Sequence, residues 1–304
     1  MPGPPGGSAP GEGRLPSLAH LFRDLSVLAV EGPDRAAFLQ GQLTQEVLDL
    51  RSGMSRLAAG LTSQGKLLYF GRLVAVDEAL LLVVESPSAD SARAHLARYA
   101  AFQKVTVRDA TAEWTVVSLY GPEGRRVEPP PESLLLPKWG ELSSELLSPG
   151  GSRAAIAETL SRRQSIPLSP SDAEILRVEA GRPSFGRDAT PGLLPQEAGL
   201  SDALAGNKGC YVGQEVVARI RTYGRVNRRL AGLRFPDGPV EAGGVFPNPE
   251  KPSQELIRVT SSVSSPRFGP IGLGLVFREV ADGARVAAPS DASRVAVVCA
   301  LPFS

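Results

Sequence analysis

Asn207-Lys208-Gly209-Cys210-Tyr211-Val212-Gly213-Gln214-Glu215 is the stretch on which the reading of this chain turns. Two glycines bracket the cysteine, so the backbone can turn sharply or approach a ligand closely on either side of it. Beyond Gly213, the residues Val216, Val217 and Ile220 share one face of a helix. Cys210 is therefore expected just ahead of a helix N-terminus, where the macrodipole and free N–H groups favour a thiolate. Lys208, shortly before it, would push the thiol in the same direction. Taken from the residues alone, a packed cysteine acting as a small hydrophobe is an equal reading.

Working outward, the residues before this segment alternate strands and helices. Residues 25–30 form a short apolar strand, and Gly32-Pro33-Asp34 turns it into a helix whose apolar side is Ala36, Ala37, Phe38 and Leu39. Strand-like runs over 56–61 and 66–76 are joined by Ser63-Gln64-Gly65, a hairpin turn. A strand over 79–85, a helix over 90–102 and a strand over 104–107 follow. The tight hairpin points to a largely antiparallel α+β sheet. A strand over 114–120, a loop rich in Pro and Glu, and helices over 152–164 and 171–180 make a further unit. After residue 225 the texture changes to short β-prone runs (230–235, 256–261, 272–277, 295–300) between Gly, Pro and Asp turns, as in a small β-barrel.

The bulk numbers narrow the class. The chain has 304 residues, enough for two or three buried cores, and its 42% apolar and 21% charged residues are ordinary for globular proteins. A net charge of +1 gives no general attraction to nucleic acid or to anionic membrane. Two cysteines and two histidines support neither a disulfide framework nor a Cys/His metal cluster, and a reducing compartment is expected. No run approaches the roughly 20 apolar residues of a membrane span. Residues 1–16, rich in Pro and Gly and without an apolar block, read as a disordered tail rather than a secretory signal.

Lys208 to Glu215 resembles the signature of the YgfZ family of folate-binding proteins, relatives of the glycine-cleavage T protein (aminomethyltransferase). Four further segments carry the likeness in order. They are Leu39-Gln40-Gly41-Gln42-Leu43-Thr44; Tyr99-Ala100-Ala101-Phe102-Gln103-Lys104-Val105-Thr106; Arg177 to Pro183 with Leu194-Pro195-Gln196-Glu197-Ala198; and Val259 to Pro266 with Ile271 to Leu275. The resemblance implies three lobes around a central channel that takes up tetrahydrofolate or a related reduced folate. Two lobes are antiparallel α+β, and the third is a C-terminal β-barrel. It also implies a cytoplasmic role in maintaining iron–sulfur client enzymes, tRNA-modifying ones among them. The expected division is a tail over 1–16, a first lobe over 17–110, a second lobe with the Cys motif over 111–222, and the barrel over 223–304. A monomer with no direct nucleic-acid or membrane contact is expected.

Within that resemblance, Cys210 and Lys208 are the candidate catalytic residues. Glu197 is the main candidate for folate, because a carboxylate accepts a pterin's N3–H and 2-amino group in one bidentate contact. Gln196, Tyr211 and Arg219 are further ligand candidates, and Tyr69 could stack on an aromatic ring of the cofactor. Aminomethyltransferases carry an aspartate in the hairpin where this chain has Leu67, Leu68, Tyr69 and Phe70, so their transfer reaction lacks its acid/base element here. Arg219, Arg221, Arg225, Arg228 and Arg229 read as solvated charges or as a contact for an acidic tail or partner. Cys299 reads as structural, and His20 and His95 as surface or packing residues.

Overall fold

The computed structural model describes residues 16–137, 143–150, 153–224, 226–288 and 291–304. All but the last residue of the expected tail, and Arg225, lie outside them. The chain begins with β1 (Ala19–Arg23) and β2 (Leu25–Glu31), passes through α1 (Arg35–Gln42), and lays down β3 (Ser55–Leu61), β4 (Leu67–Ala75) and β5 (Ala79–Glu85). After α2 (Ala89–Ala100) comes β6 (Thr106–Asp109). The first sheet is antiparallel in the order β3-β4-β5-β2-β6.

The central strand β5 shows why this sheet is apolar on both faces. Its even residues, Leu80, Leu82 and Val84, enter a core with Phe38, Leu39 and Leu96 from the helices. Its odd residues, Ala79, Leu81 and Val83, enter a second core with Val116, Leu136 and Leu147. A strand covered on both sides reads as a continuous hydrophobic run, as this one does.

The second sheet joins β7 (Trp114–Tyr120), β8 (Leu134–Pro137), β9 (Ser143–Pro149) and β10 (Ile166–Pro167) to β1 in the order β10-β1-β7-β9-β8. The β1–β10 pair is parallel and breaks the otherwise antiparallel pattern. Helix α3 (Arg153–Arg162) packs Ile156 and Leu160 on Val117, Leu119 and Leu146 of this sheet. The third sheet holds β11 (Arg228–Arg234), β12 (Val245–Pro247), β13 (Glu255–Ser265), β14 (Gly269–Phe277), β15 (Arg285–Ala288) and β16 (Asp291–Cys299) in the order β12-β13-β14-β11-β16-β15. Its edge strands β12 and β15 touch, which nearly closes a barrel around Leu233, Phe235, Phe246, Ile257 and Val298.

The lobes are interleaved, which a division of the chain into consecutive blocks does not capture. β1, inside the expected first lobe, is hydrogen-bonded into the second sheet. Phe185, Ala189, Ala198, Leu200, Ala203 and Val217, inside the expected second lobe, return to the core of the first sheet. The strand expected over 104–107 begins two residues later, because Lys104 N–H is held by Asp34 Oδ2 and Val105 N–H by Gln103 O in a turn.

A buried polar knot ties the first and third sheets together through α4 and the segment after it. Arg177, on α4 (Pro170–Glu179), donates to Glu174 at 2.7 and 2.8 Å, to Asp188 Oδ2 at 2.7 Å and to Ser261 Oγ of β13 at 2.7 Å. Asp188 has no solvent exposure and also accepts from Ser184 N–H and from the Thr260 and Ser261 hydroxyls. Ser184 Oγ in turn donates to Glu85 Oε2, at the end of β5. Burying an arginine is tolerable because both of its forks meet carboxylates.

Candidate functional site

The Cys210 segment leads into α5 (Gln214–Tyr223), whose N-cap is Gly213 at φ 82°. A Cβ at Gly213 would stand 2.5 Å from Thr62 O, so both the left-handed backbone and the close approach require glycine. Gly65, at the tip of the β3–β4 hairpin, makes the matching approach to Val216 of α5. Tyr211 and Gln214 close the turn between them: Tyr211 N–H donates to Gln214 Oε1, and Gln214 N–H to Tyr211 O. Cys210 is a free, exposed thiol above this support.

Lys208 is held by the early motif. Its Nζ donates to the carbonyls of Gln40 at 2.8 Å, Leu43 at 2.6 Å and Gln45 at 2.8 Å, and it lies 4.9 Å from the Tyr211 ring centre. Burial pushes Lys208 down to about 8, against the pull of Glu46, so the ammonium form still prevails at neutral pH. The ammonium's three donors are all engaged by these carbonyls.

The early motif Leu39 to Thr44 is the other half of the same construction. Val212 N–H donates to Gly41 O, and Ala205 N–H to Thr44 O. Thr44 Oγ1 donates to Ala203 O and accepts from Ala59 N–H, and Gln45 Nε2 bridges to the carbonyls of Leu57 and Asp202. Gln40 Nε2 binds Glu46 Oε2, and this amide holds the Glu46 carboxyl below the usual carboxylate range. Two segments some 165 residues apart in sequence therefore form one local structure.

The remaining candidates divide. Tyr69 does not stack on a ligand: it is 0% exposed, and its hydroxyl shares a 2.8 Å hydrogen bond with His95 Nδ1 inside the first core. Burial raises the Tyr69 hydroxyl and pushes His95 down to about 4, with Arg98 adding to the His95 shift. Glu197 is 8% exposed, and its Oε2 accepts from Leu194 N–H at 3.0 Å. Gln196 lines a cleft of about 280 Å³ with Ser201, Leu204, Val217, Ile220, Arg221, Gly224 and Val226, and its buried Oε1 has no partner among the described residues. An adjoining opening of about 390 Å³ shares Gly224 and Val226 and reaches Arg278 and Glu279 of the barrel. Tyr211 is half-buried and Arg219 is exposed; neither lines these openings.

Of the other arginines, Arg221 donates to the carbonyls of Ala205 and Gly206, and Arg229 pairs with Asp282 at 2.6 Å. Cys299 sits in β16 with its Sγ on Val297 O, and His20 Nδ1 lies 2.8 Å from Ser165 Oγ. Sequence reasoning missed the carbonyl cradle around Lys208 and the Asp188 knot. Backbone carbonyls leave no mark in a sequence. Asp188 had one available signal, an acid flanked by a helix-borne arginine and a Ser/Thr pair, but the pair is about 70 residues away.

Three sheets interlocked in this way, with a nearly closed terminal barrel, define an aminomethyltransferase-type fold. A structure of glycine cleavage system aminomethyltransferase T from Bartonella henselae matches it with a TM-score of 0.81 at 24% identity, covering 95% of this chain and 86% of that one. Residues 22–128 match the family described as the GCVT N-terminal domain. The tRNA-modifying protein YgfZ of Klebsiella pneumoniae is 28% identical over 71% of this chain and 71% of its own. The mitochondrial iron-sulfur cluster assembly factor IBA57 of Mus musculus is 28% identical over 91% and 82%. The chain is thus similar to YgfZ-type and GcvT-type proteins over most of its length.

Proposed function

We propose that this chain binds a reduced folate and, as a cytoplasmic monomer, supports assembly or repair of iron–sulfur enzymes, tRNA-modifying ones among them, through Cys210. The observation that carries this reading is the exposed Cys210 held on a built support from both sides, in a chain whose relatives are named for iron–sulfur cluster assembly and for tRNA modification. For the folate, the donor and acceptor chemistry fits the cleft. Gln196 offers a pterin N–H a buried oxygen that has no partner among the described residues; Glu197, next in sequence, is not in the lining and accepts from Leu194 N–H. Arg221 and Arg278 line the two openings where a glutamate tail's carboxylates would lie. The folate would supply a one-carbon or redox-active carrier; the residues here would bind and orient it.

Aminomethyl transfer is not proposed. β4 presents Leu67, Leu68, Tyr69 and Phe70 without a carboxylate, and the next acid downstream is Asp77, beyond the strand end.

Expression in cells lacking their own YgfZ-type protein tests the reading. The native chain should restore iron–sulfur enzyme activity. Cys210→Ser, equal in expression and melting temperature because the exposed side chain changes little in size, should not. Full restoration by Cys210→Ser would overturn the role given to the thiol.

A further inference from the structure

The last turn of α1 contains no basic residue, although its final carbonyls lack intrahelical partners and its C-terminal end favours a cation. Lys208 supplies that cation from far along the chain. Its ammonium meets Gln40 O, Leu43 O and Gln45 O, all within 2.8 Å. An ammonium has three donors, so this cradle saturates it. On the other side of Cys210, Val212 N–H takes Gly41 O at 3.1 Å. Positions 208 and 212 are thus pinned to consecutive carbonyls of α1, with Cys210 midway between them. The cradle is itself braced by Thr44 on Ala203 and Ala59, and by Gln45 on Leu57 and Asp202.

We propose that Lys208 is the positioning residue of the Cys210 segment: it docks the loop on the end of α1 and fixes where the thiol stands, and it does not tune the thiol by charge. The importance of this role rests on the proposed function of Cys210. Its test does not, because no readout below involves folate or a client enzyme, so either idea can fail while the other stands.

The experiment uses the full chain with Cys299→Ser, so that only one thiol reacts. Lys208→Ala and Lys208→Met are compared with the parent by amide exchange over 206–213 and by the pH profile of Cys210 alkylation. Protection of the loop should fall about tenfold or more in both variants, while the midpoint of the alkylation profile stays in place. In Lys208→Ala, n-propylammonium replaces the three carbons and the nitrogen that were removed, and it should restore protection where neutral 1-propanol does not. If neither variant folds, the parent chain labelled with ¹⁵N-lysine decides: a docked ammonium exchanges its protons slowly with water. Unchanged protection together with an alkylation midpoint raised by about one unit would overturn the proposal and make Lys208 an electrostatic activator. Failure of propylammonium to restore protection, or a fast-exchanging ammonium in the parent, would also overturn it.

Discussion

Tyr69 and His95 show how burial reassigns a residue that composition marks for binding. The β4 run Leu67-Leu68-Tyr69-Phe70 is apolar on both faces, so alternation alone cannot say which side is enclosed. Gly60, directly across the hairpin, leaves the space that the Tyr69 ring fills, and the hydroxyl meets His95 there. His95 Nε2 has no partner among the described residues. Tyr69→Phe would leave both imidazole nitrogens unsatisfied, so denaturant melts should show a loss of about 1–3 kcal/mol, with folate affinity unchanged. The same burial makes stability depend on pH. The unfolded chain protonates His95 below about 6.5 and the folded chain only below about 4, so the unfolded state binds more protons between those values. Stability should therefore fall as pH drops from about 6.5 to about 4, by an amount on the order of 1–3 kcal/mol. In His95→Gln the melting temperature should vary less across that window. Cys210 and Gly213, by contrast, were legible from sequence because their signals are local: glycines around a thiol and a helix period beyond.

At the scale of elements, the meeting of the β3–β4 hairpin with α5 carries the most strain-sensitive geometry. Gly65 and Gly213 approach each other's segments with positive φ, so neither tolerates a Cβ. Gly213→Ala should destabilise the protein by about 1–3 kcal/mol from left-handed strain alone, with more from the contact with Thr62 O. It should also raise amide exchange in α5 above that of α4. Equal exchange in both helices would contradict this. The strands expected over 25–30, 56–61, 66–76, 79–85 and 114–120 coincide closely with β2, β3, β4, β5 and β7, because each is a long apolar run closed by turn residues. The pieces that escaped reading are β1, β8, β9, β10, β12 and β15. Apart from β9 these have two to five residues, too few for a period to show, and β9 (Ser143–Pro149) is a Ser- and Glu-containing strand with one leucine for each face, Leu146 in one core and Leu147 in another.

For the whole molecule, the sequence revealed the three-lobed plan but not its interleaving, because pairing between β1 and β7 is a long-range fact that composition does not carry. The interleaving also shapes the openings at the lobe junction. It brings the 196–204 segment, α5 and the barrel turn at Arg278 to the edges of one pair of joined openings, with the buried Gln196 oxygen in the inner one. The Arg177–Asp188 knot fixes the barrel against the body that forms the other wall. Calorimetric titration of the full chain with tetrahydrofolate, in the native form and in Gln196→Leu, tests the claim of a reduced-folate site most directly. Binding should register with a dissociation constant below about 1 mM, or about −4 kcal/mol, and Gln196→Leu should weaken it several-fold, by about 0.5–1.5 kcal/mol. No heat at ligand concentrations near 1 mM, or native affinity in Gln196→Leu, would contradict a folate seated in this cleft.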